Sequence, residues 1–376
     1  MVSKTVLNWF CLLNSDGVGP TTFWSFMSVY RTAEESLKHI QSPFPRDRAI
    51  RILERFRGHI VLASDPIFPD TLKRSATCPP MLFALGNLKL LPPKKIAIIG
   101  TRDASANGRS IAYRLASNLS KFSPIVSGLA SGIDTSAHAG VLRNSERTIA
   151  IVPFSLLDIY PKENARLFSE IKEKGLIITE VPPHKPPDQG MFHARNRIVA
   201  LLPVGIVVIE ASLKSGTMDT AMMALDFGTK VMAVPGSPSD PRSGGCNDLI
   251  KKGVPLIENY TDVLEVMANS KKQRQPEFRG FSKSPAKSPA FSEEQQQPGL
   301  RGLLNNPAAA GNLEVKDMSN KILTMLSVDI PTSLEFIARS INIDMQSLLC
   351  QISELEILGK IRKCSTNEVL LQMRPS

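Results

Sequence analysis

Six short aliphatic runs punctuate the middle of the chain: KIAIIG (95–100), PIVSGL (124–129), TIAIVPF (148–154), LIITEV (176–181), GIVVIEA (205–211) and KVMAVPG (230–236). Each is apolar without alternation, as strands covered on both faces of a parallel sheet are. Between them, stretches such as GRSIAYRLASNLSKF (108–122) and SGTMDTAMMALDFG (215–228) carry helical spacing. This alternation predicts a doubly wound, mainly parallel α/β sheet.

The flanks read differently. TVLNWFCLL and FWSFMSVY are helical and bracket NSDGVGPTT, where Gly17, Gly19 and Pro20 form either a phosphate-contacting helical hairpin or a plain helix stop with a Pro-started helix. The plain turn is favoured. The stretch 65–92 reads as a lead-in to the sheet. Residues 271–312 are rich in Lys, Ser, Pro, Gln and Asn without apolar period, which predicts a flexible linker. Beyond it, SNKILTML, TSLEFIARS and DMQSLLCQISELEILGK, followed by IRKCSTNEVLLQM, have the helix, helix, helix, hairpin order of a winged helix. Its third helix carries Asp344, Glu354 and Glu356 and no cation before Lys360, so it should repel phosphate and instead dock protein or support a dimer. The expected organisation is a helical N-terminal domain (1–70), the sheet domain (71–270), the linker (271–312) and the C-terminal domain (313–376).

The 376 residues carry a net charge of +10, which favours polyanionic partners. Five cysteines, widely spread and without a CxxC pair, imply neither a disulfide framework nor a metal site. No apolar run approaches the roughly 18 residues of a membrane span, so a cytoplasmic protein without a membrane role is expected.

In a doubly wound sheet the ligand lies beyond the carboxyl ends of the strands. Those ends hold Gly100, Thr101 and Arg102; Ser127, Gly128 and Gly132; Lys162 and Asn164; Arg195, Asn196 and Arg197; and Lys214, Ser215, Gly216 and Thr217. Glycines, hydroxyls and cations on one edge point to phosphate. GLASGID lacks the lysine of a nucleotide-hydrolysing loop, and GTRDASANG lacks dinucleotide spacing. What remains is phosphate binding without chemistry at several strand ends, as a nucleic-acid backbone requires. Asp134 and His138, one helical turn apart, are either an acid–base pair or a helix-start acid beside a packed histidine; the second is favoured.

The string GTR (100–102), SGLASGIDTSAHAG (127–140), IYPKEN (159–164), RNRIVA (195–200), SGT (215–217), VPG (234–236) and GCNDLIKKG (245–253) closely resembles the DNA-processing protein A family, DprA/Smf. The resemblance implies a Rossmann-like domain that binds single-stranded DNA without cutting it and helps load a RecA-type recombinase in natural transformation. It also implies a small SAM-like N-terminal domain, homodimers, and no cofactor. Carried onto this chain, the pocket uses Arg102, Lys162, Arg195 and Arg197 with backbone groups at Gly128 and Gly216. The chain departs from the pattern at Ala194, where a second basic residue is common, and at SGT. Met222, Met223, Leu225 and Phe227 either face the core or form a dimer surface, for which methionine is suited; the homodimers implied by the resemblance favour the surface. Two other readings compete. One is a phosphoribohydrolase-like enzyme, disfavoured because KSGTMDT puts Thr220 where the catalytic glutamate belongs; the other is a duplex-binding regulator resting on the winged helix alone.

Overall fold

The computed structural model describes residues 2–144, 147–157, 164–269, 321–326, 332–341, 343, 345–365 and 368–371. The linker, Tyr160 and Lys162 lie outside them, as does Asp344. The chain forms two compact units, one of Met1–Ile50, Lys73–Pro80 and Gly280–Ser376, the other of Arg51–Leu72 and Met81–Arg279.

The second unit holds the sheet. Its strands are β1 (His59–Leu62), β2 (Met81–Gly86), β3 (Ile96–Gly100), β4 (Ile125–Ser127), β5 (Thr148–Ile151), β6 (Leu176–Thr179), β7 (Gly205–Ile209) and β8 (Lys230–Ala233), in the spatial order β1-β2-β6-β5-β4-β3-β7-β8. From β6 to β8 all neighbours are parallel, whereas β2 joins β6 antiparallel and β1 joins β2 antiparallel. This is the expected Rossmann-like sheet with two added edge strands. Residues 59–62 were expected in a helical region; the strand there is only four residues long, and its HIVL pairs with the fully buried MLFA of β2.

The helices in chain order are α1 (Lys4–Asn14), α2 (Pro20–Tyr30), α3 (Ala33–Leu37), α4 (Arg46–Arg55), α5 (Asp70–Lys73), α6 (Ala106–Leu119), α7 (Ile133–Asn144), α8 (Ala165–Lys174), α9 (Gln189–Leu201), α10 (Gly216–Asp226), α11 (Gly244–Lys251) and α12 (Tyr260–Ala268). One face of the sheet packs Ile98, Val207 and Met232 against Ala112, Leu115 and Leu119 of α6 and Ala137 and Val141 of α7. All are at most 4% exposed, so truncating any of the larger ones to Ala should cost about 2–5 kcal/mol.

The first unit begins with α1, capped by the Ser3 hydroxyl. In the turn to α2, Gly17 has φ 74°, Gly19 is the N-cap and Pro20 opens the helix. Trp9, Phe23 and Trp24 form a cluster of tilted and edge-to-face rings between these helices, and Trp24 Nε1 donates to Cys78 O at 2.8 Å. The same unit contains α13 (Leu334–Ile341) and α14 (Met345–Ile357) with a three-stranded antiparallel sheet of β9 (Thr332–Ser333), β10 (Ile361–Ser365) and β11 (Glu368–Leu371). There α14 packs against α2, and the Glu354 carboxyl is hydrogen-bonded to Ser28. Among the described residues, no helix is long and apolar enough to cross a membrane.

Candidate nucleic-acid interface

The connections from β3 lead outward through β4, β5 and β6 on one side and to β7 and β8 on the other, so the topological switch lies between β3 and β7. In a doubly wound sheet the ligand crevice is formed at the carboxyl ends of the two strands that flank this switch. Thr101 follows β3 and its N–H donates to Glu210 O at 2.7 Å. Arg102 is exposed, its guanidinium 5.8 Å above the Phe192 ring of α9. Across the crevice Ser215 caps α10, its hydroxyl accepting from Met218 N–H, while Thr217 Oγ1 donates to the carbonyl of Gly100 at 3.1 Å. The N-terminus of α10 is uncovered. Gly216 is exposed, and a side chain there would meet nothing within 4 Å. The structure therefore brings Gly100, Thr101, Arg102, Ser215, Gly216 and Thr217 together.

The glycine-serine loop after β4 behaves otherwise. Leu129 adopts a left-handed φ of 57°, which turns the N–H groups of Gly128 and Ala130 toward one point. The chain's own Asp134 sits at that point, its Oδ2 accepting from Gly128 at 3.1 Å and Ala130 at 3.3 Å. Arg195 closes the other side, one Nη1 donating to Gly128 O at 2.7 Å and Ile151 O at 2.8 Å. Both side chains wrap the glycine so closely that an added Cβ would stand 2.1 Å from Arg195 Nη1. Burial pushes the Asp134 carboxyl up, opposed by the Arg195 charge and the two N–H groups.

Four expected surface residues are thus corrected to interior ones. Ser127 is fully buried with its hydroxyl on Ile98 O, and the Gly128 N–H is spent on Asp134. Gly132 is buried beneath the carbonyls of Thr101 and Arg102, and Arg195 is 8% exposed. Arg197, expected at a loop tip, lies inside α9 and pairs with Glu180, the two side chains being 11% and 15% exposed. Burial raises the Glu180 carboxyl, opposed by Arg197. Asn196, between the two arginines, is half-buried. Asn164 precedes α8 and donates to Leu129 O at 2.7 Å, which braces the loop.

The choice at α7 is settled by packing. His138 is fully buried, its Nδ1 2.7 Å from Thr148 Oγ1, and burial pushes it down to about 3, so it stays neutral and is no partner for Asp134 in proton transfer. On α10, Met218, Ala221 and Ala224 are buried; Met222, Met223 and Leu225 are half-buried and Phe227 is 36% exposed. Glu210 went unread in the sequence. Its signal was an acid ending an otherwise apolar strand, GIVVIEA.

Comparison with known proteins identifies the family. The family profile for DNA recombination-mediator protein A matches residues 59–268. The DNA processing protein DprA of Streptococcus pneumoniae is 40% identical over 200 residues, 53% of this chain and 71% of that protein. Its counterpart in Bacillus subtilis is 36% identical over 220 residues, 57% of this chain and 74% of that protein. The solved S. pneumoniae structure covers 69% of this chain and 97% of its own, with a TM-score of 0.62 and 31% identity. That of Helicobacter pylori DNA processing protein A, described as having a unique single-stranded DNA binding mode, covers 56% of this chain and 97% of its own, with a TM-score of 0.51 and 32% identity. With a profile that spans residues 59–268, more than half the chain, and relatives at up to 40% identity, this protein belongs to the DNA recombination-mediator protein A family, DprA/Smf.

Proposed function

We propose that this protein binds single-stranded DNA at the β3/β7 crevice, without cutting it, and passes it to a RecA-type recombinase in natural transformation. The observation that carries this reading is the set of groups exposed at the ends of β3 and β7. An exposed Arg102 lies over the Phe192 ring beside the uncovered N-terminus of α10, which together supply a cation, an aromatic face and free backbone donors. This is the equipment for a phosphate backbone and an unstacked base. The S. pneumoniae and B. subtilis relatives, named as DNA processing proteins, and the H. pylori relative with its single-strand binding mode support the same ligand.

The site set narrows to Thr101, Arg102, Ser215, Gly216 and Thr217, with Asn196 flanking and Lys162 kept on the sequence reading alone. Arg195 and Arg197 serve as internal supports. Against the hydrolase reading, Thr220 is buried and its hydroxyl donates to Gly216 O at 2.9 Å, so an alcohol bonded within its own helix stands where that chemistry needs an acid. We assign α1 to α4 to a SAM-like domain, and α13, α14 and β9 to β11 to a winged helix. The packing of α14 on α2 favours docking over duplex reading. The half-buried methionines of α10 are the proposed homodimer surface.

Retention of single-stranded and duplex oligonucleotides at two salt concentrations, with nucleotide release assayed in parallel, tests the proposal. Tighter retention of single strands, falling with a slope near −0.7 per phosphate neutralised, is expected. Equal or salt-independent retention refutes it.

A further inference from the structure

Glu210 follows β7 at the switch point with a left-handed φ of 51°, a conformation that a side chain of its length adopts only when its surroundings demand it. The demand is visible. Its Oε2 accepts the Ser105 N–H at 2.8 Å, its Oε1 takes the Ser105 hydroxyl, and its carbonyl accepts Thr101 N–H at 2.7 Å. Ser105 is in turn the N-cap of the 14-residue α6, accepting from Gly108 N–H at 2.9 Å. The carboxylate lies so close to that first turn that a Cβ on Gly108 would stand 2.4 Å from its Cδ. In doubly wound sheets, the helix N-terminus at the switch point is where a nucleotide phosphate settles. Here an anion of the chain's own occupies it, as Asp134 occupies the loop after β4.

We propose that Glu210 is the specificity-determining residue of this edge. It is a resident anion that closes the α6 cradle to free phosphate and nucleoside monophosphates. By tying Thr101 and Ser105, it also fixes the loop that presents Arg102 to a strand entering along α10. The second role rests on the single-strand reading above; the first does not.

The charge explains the exclusion. A phosphate brought to Ser105 meets a carboxylate already holding the Ser105 N–H and hydroxyl, so it would gain neither of these hydrogen bonds and face like charge. Replacing the carboxylate with a methyl frees the Ser105 N–H and hydroxyl and the positive end of α6 together.

The test uses the full-length protein, inorganic phosphate and deoxyadenosine monophosphate as probes, and amide NMR shifts at Ser105 and Gly108. The wild type should show no saturable shift. Glu210→Ala should bind phosphate at least about fivefold more tightly than the wild type, and Glu210→Gln, neutral but still filling the space, should gain less. In parallel, single-strand affinity is read in phosphate and in chloride at matched ionic strength. Phosphate should compete specifically in Glu210→Ala and not in the wild type. Saturable binding to the wild-type cradle, or no gain in a folded variant, overturns the proposal; if the alanine variant does not fold, the glutamine variant decides. Failure of the wild type to bind single strands at all sinks the functional reading and the Arg102 role, while the phosphate shifts decide the cradle independently.

Discussion

Arg102 and Arg195 carry the same label in the sequence, a cation after a parallel strand, and the structure assigns them opposite fates under truncation. Arg102→Ala removes an exposed guanidinium whose neighbour is the Phe192 ring. If it neutralises one phosphate, the slope of log K against log salt should become shallower by about 0.7. At about 0.1 M salt that one contact is worth roughly 0.7 log units, a fivefold loss or about 1 kcal/mol, growing to about 25-fold near 0.01 M. Melting should not move, because no buried group loses a partner. Arg195→Ala instead strips Gly128 O and Ile151 O of their donor and leaves Asp134 buried beside an uncompensated space. Breaking such a buried arrangement costs about 3–5 kcal/mol, and at roughly 2–4 °C per kcal/mol the melting point should fall by about 6–20 °C. Fluorescence anisotropy on a labelled oligonucleotide across a salt series, paired with calorimetry on the same two variants, checks both. An Arg102→Ala slope equal to that of the wild type, or an Arg195→Ala protein as stable as the wild type, refutes the division of labour.

Phe192→Ala should weaken single-strand binding by about 1–3 kcal/mol with the salt slope unchanged, since stacking is not ionic; a changed slope at constant affinity contradicts this. His138, held near 3 in the fold against 6.5 for a free side chain, makes the unfolded state bind the extra proton, so stability falls as pH drops below 6.5 and goes on falling toward 3. At pH 5 the loss attributable to this group is about 2 kcal/mol, and His138→Leu should flatten that part of the denaturation profile; an unchanged profile counts against a neutral buried imidazole. Met223→Asp should give a folded monomer by light scattering with weaker DNA binding, because two linked pockets become one; a folded dimer at micromolar concentration moves the interface elsewhere.

The sheet was legible because its strands are covered on both faces. IAIIG, TIAI and GIVVI became β3, β5 and β7 almost residue for residue, and burial on both sides leaves no other pattern for such runs to write. The antiparallel strands β1 and β2 were not read as such. HIVL is four residues with an exposed histidine at its start, and its place in the sheet comes only from pairing with β2, which sequence spacing does not encode. The crevice was legible in outline for the same reason as the sheet, since strand ends define it.

Which residues of that crevice face outward was not legible, and the reason is local geometry set by distant parts of the chain. SGLASG has the composition of an anion loop, and it is one. The turn at Leu129 aims two N–H groups at a common point, and the sequence cannot say that Asp134, five residues on, reaches back to fill it. Nor can it say that Arg195, 67 residues from Gly128, points inward to the same loop while Arg102 points out. The two acids carry the lesson furthest. An aspartate at the start of a helix and a glutamate at the end of a strand look like a helix-start preference and a stray charge, yet each occupies a place shaped for phosphate. With those places filled from within, the donors left for a ligand among the described residues are the backbone at the head of α10 and the side chains around it. A phosphate chain laid across an open edge can use that arrangement; a single nucleotide seeking an enclosed cradle finds both already taken.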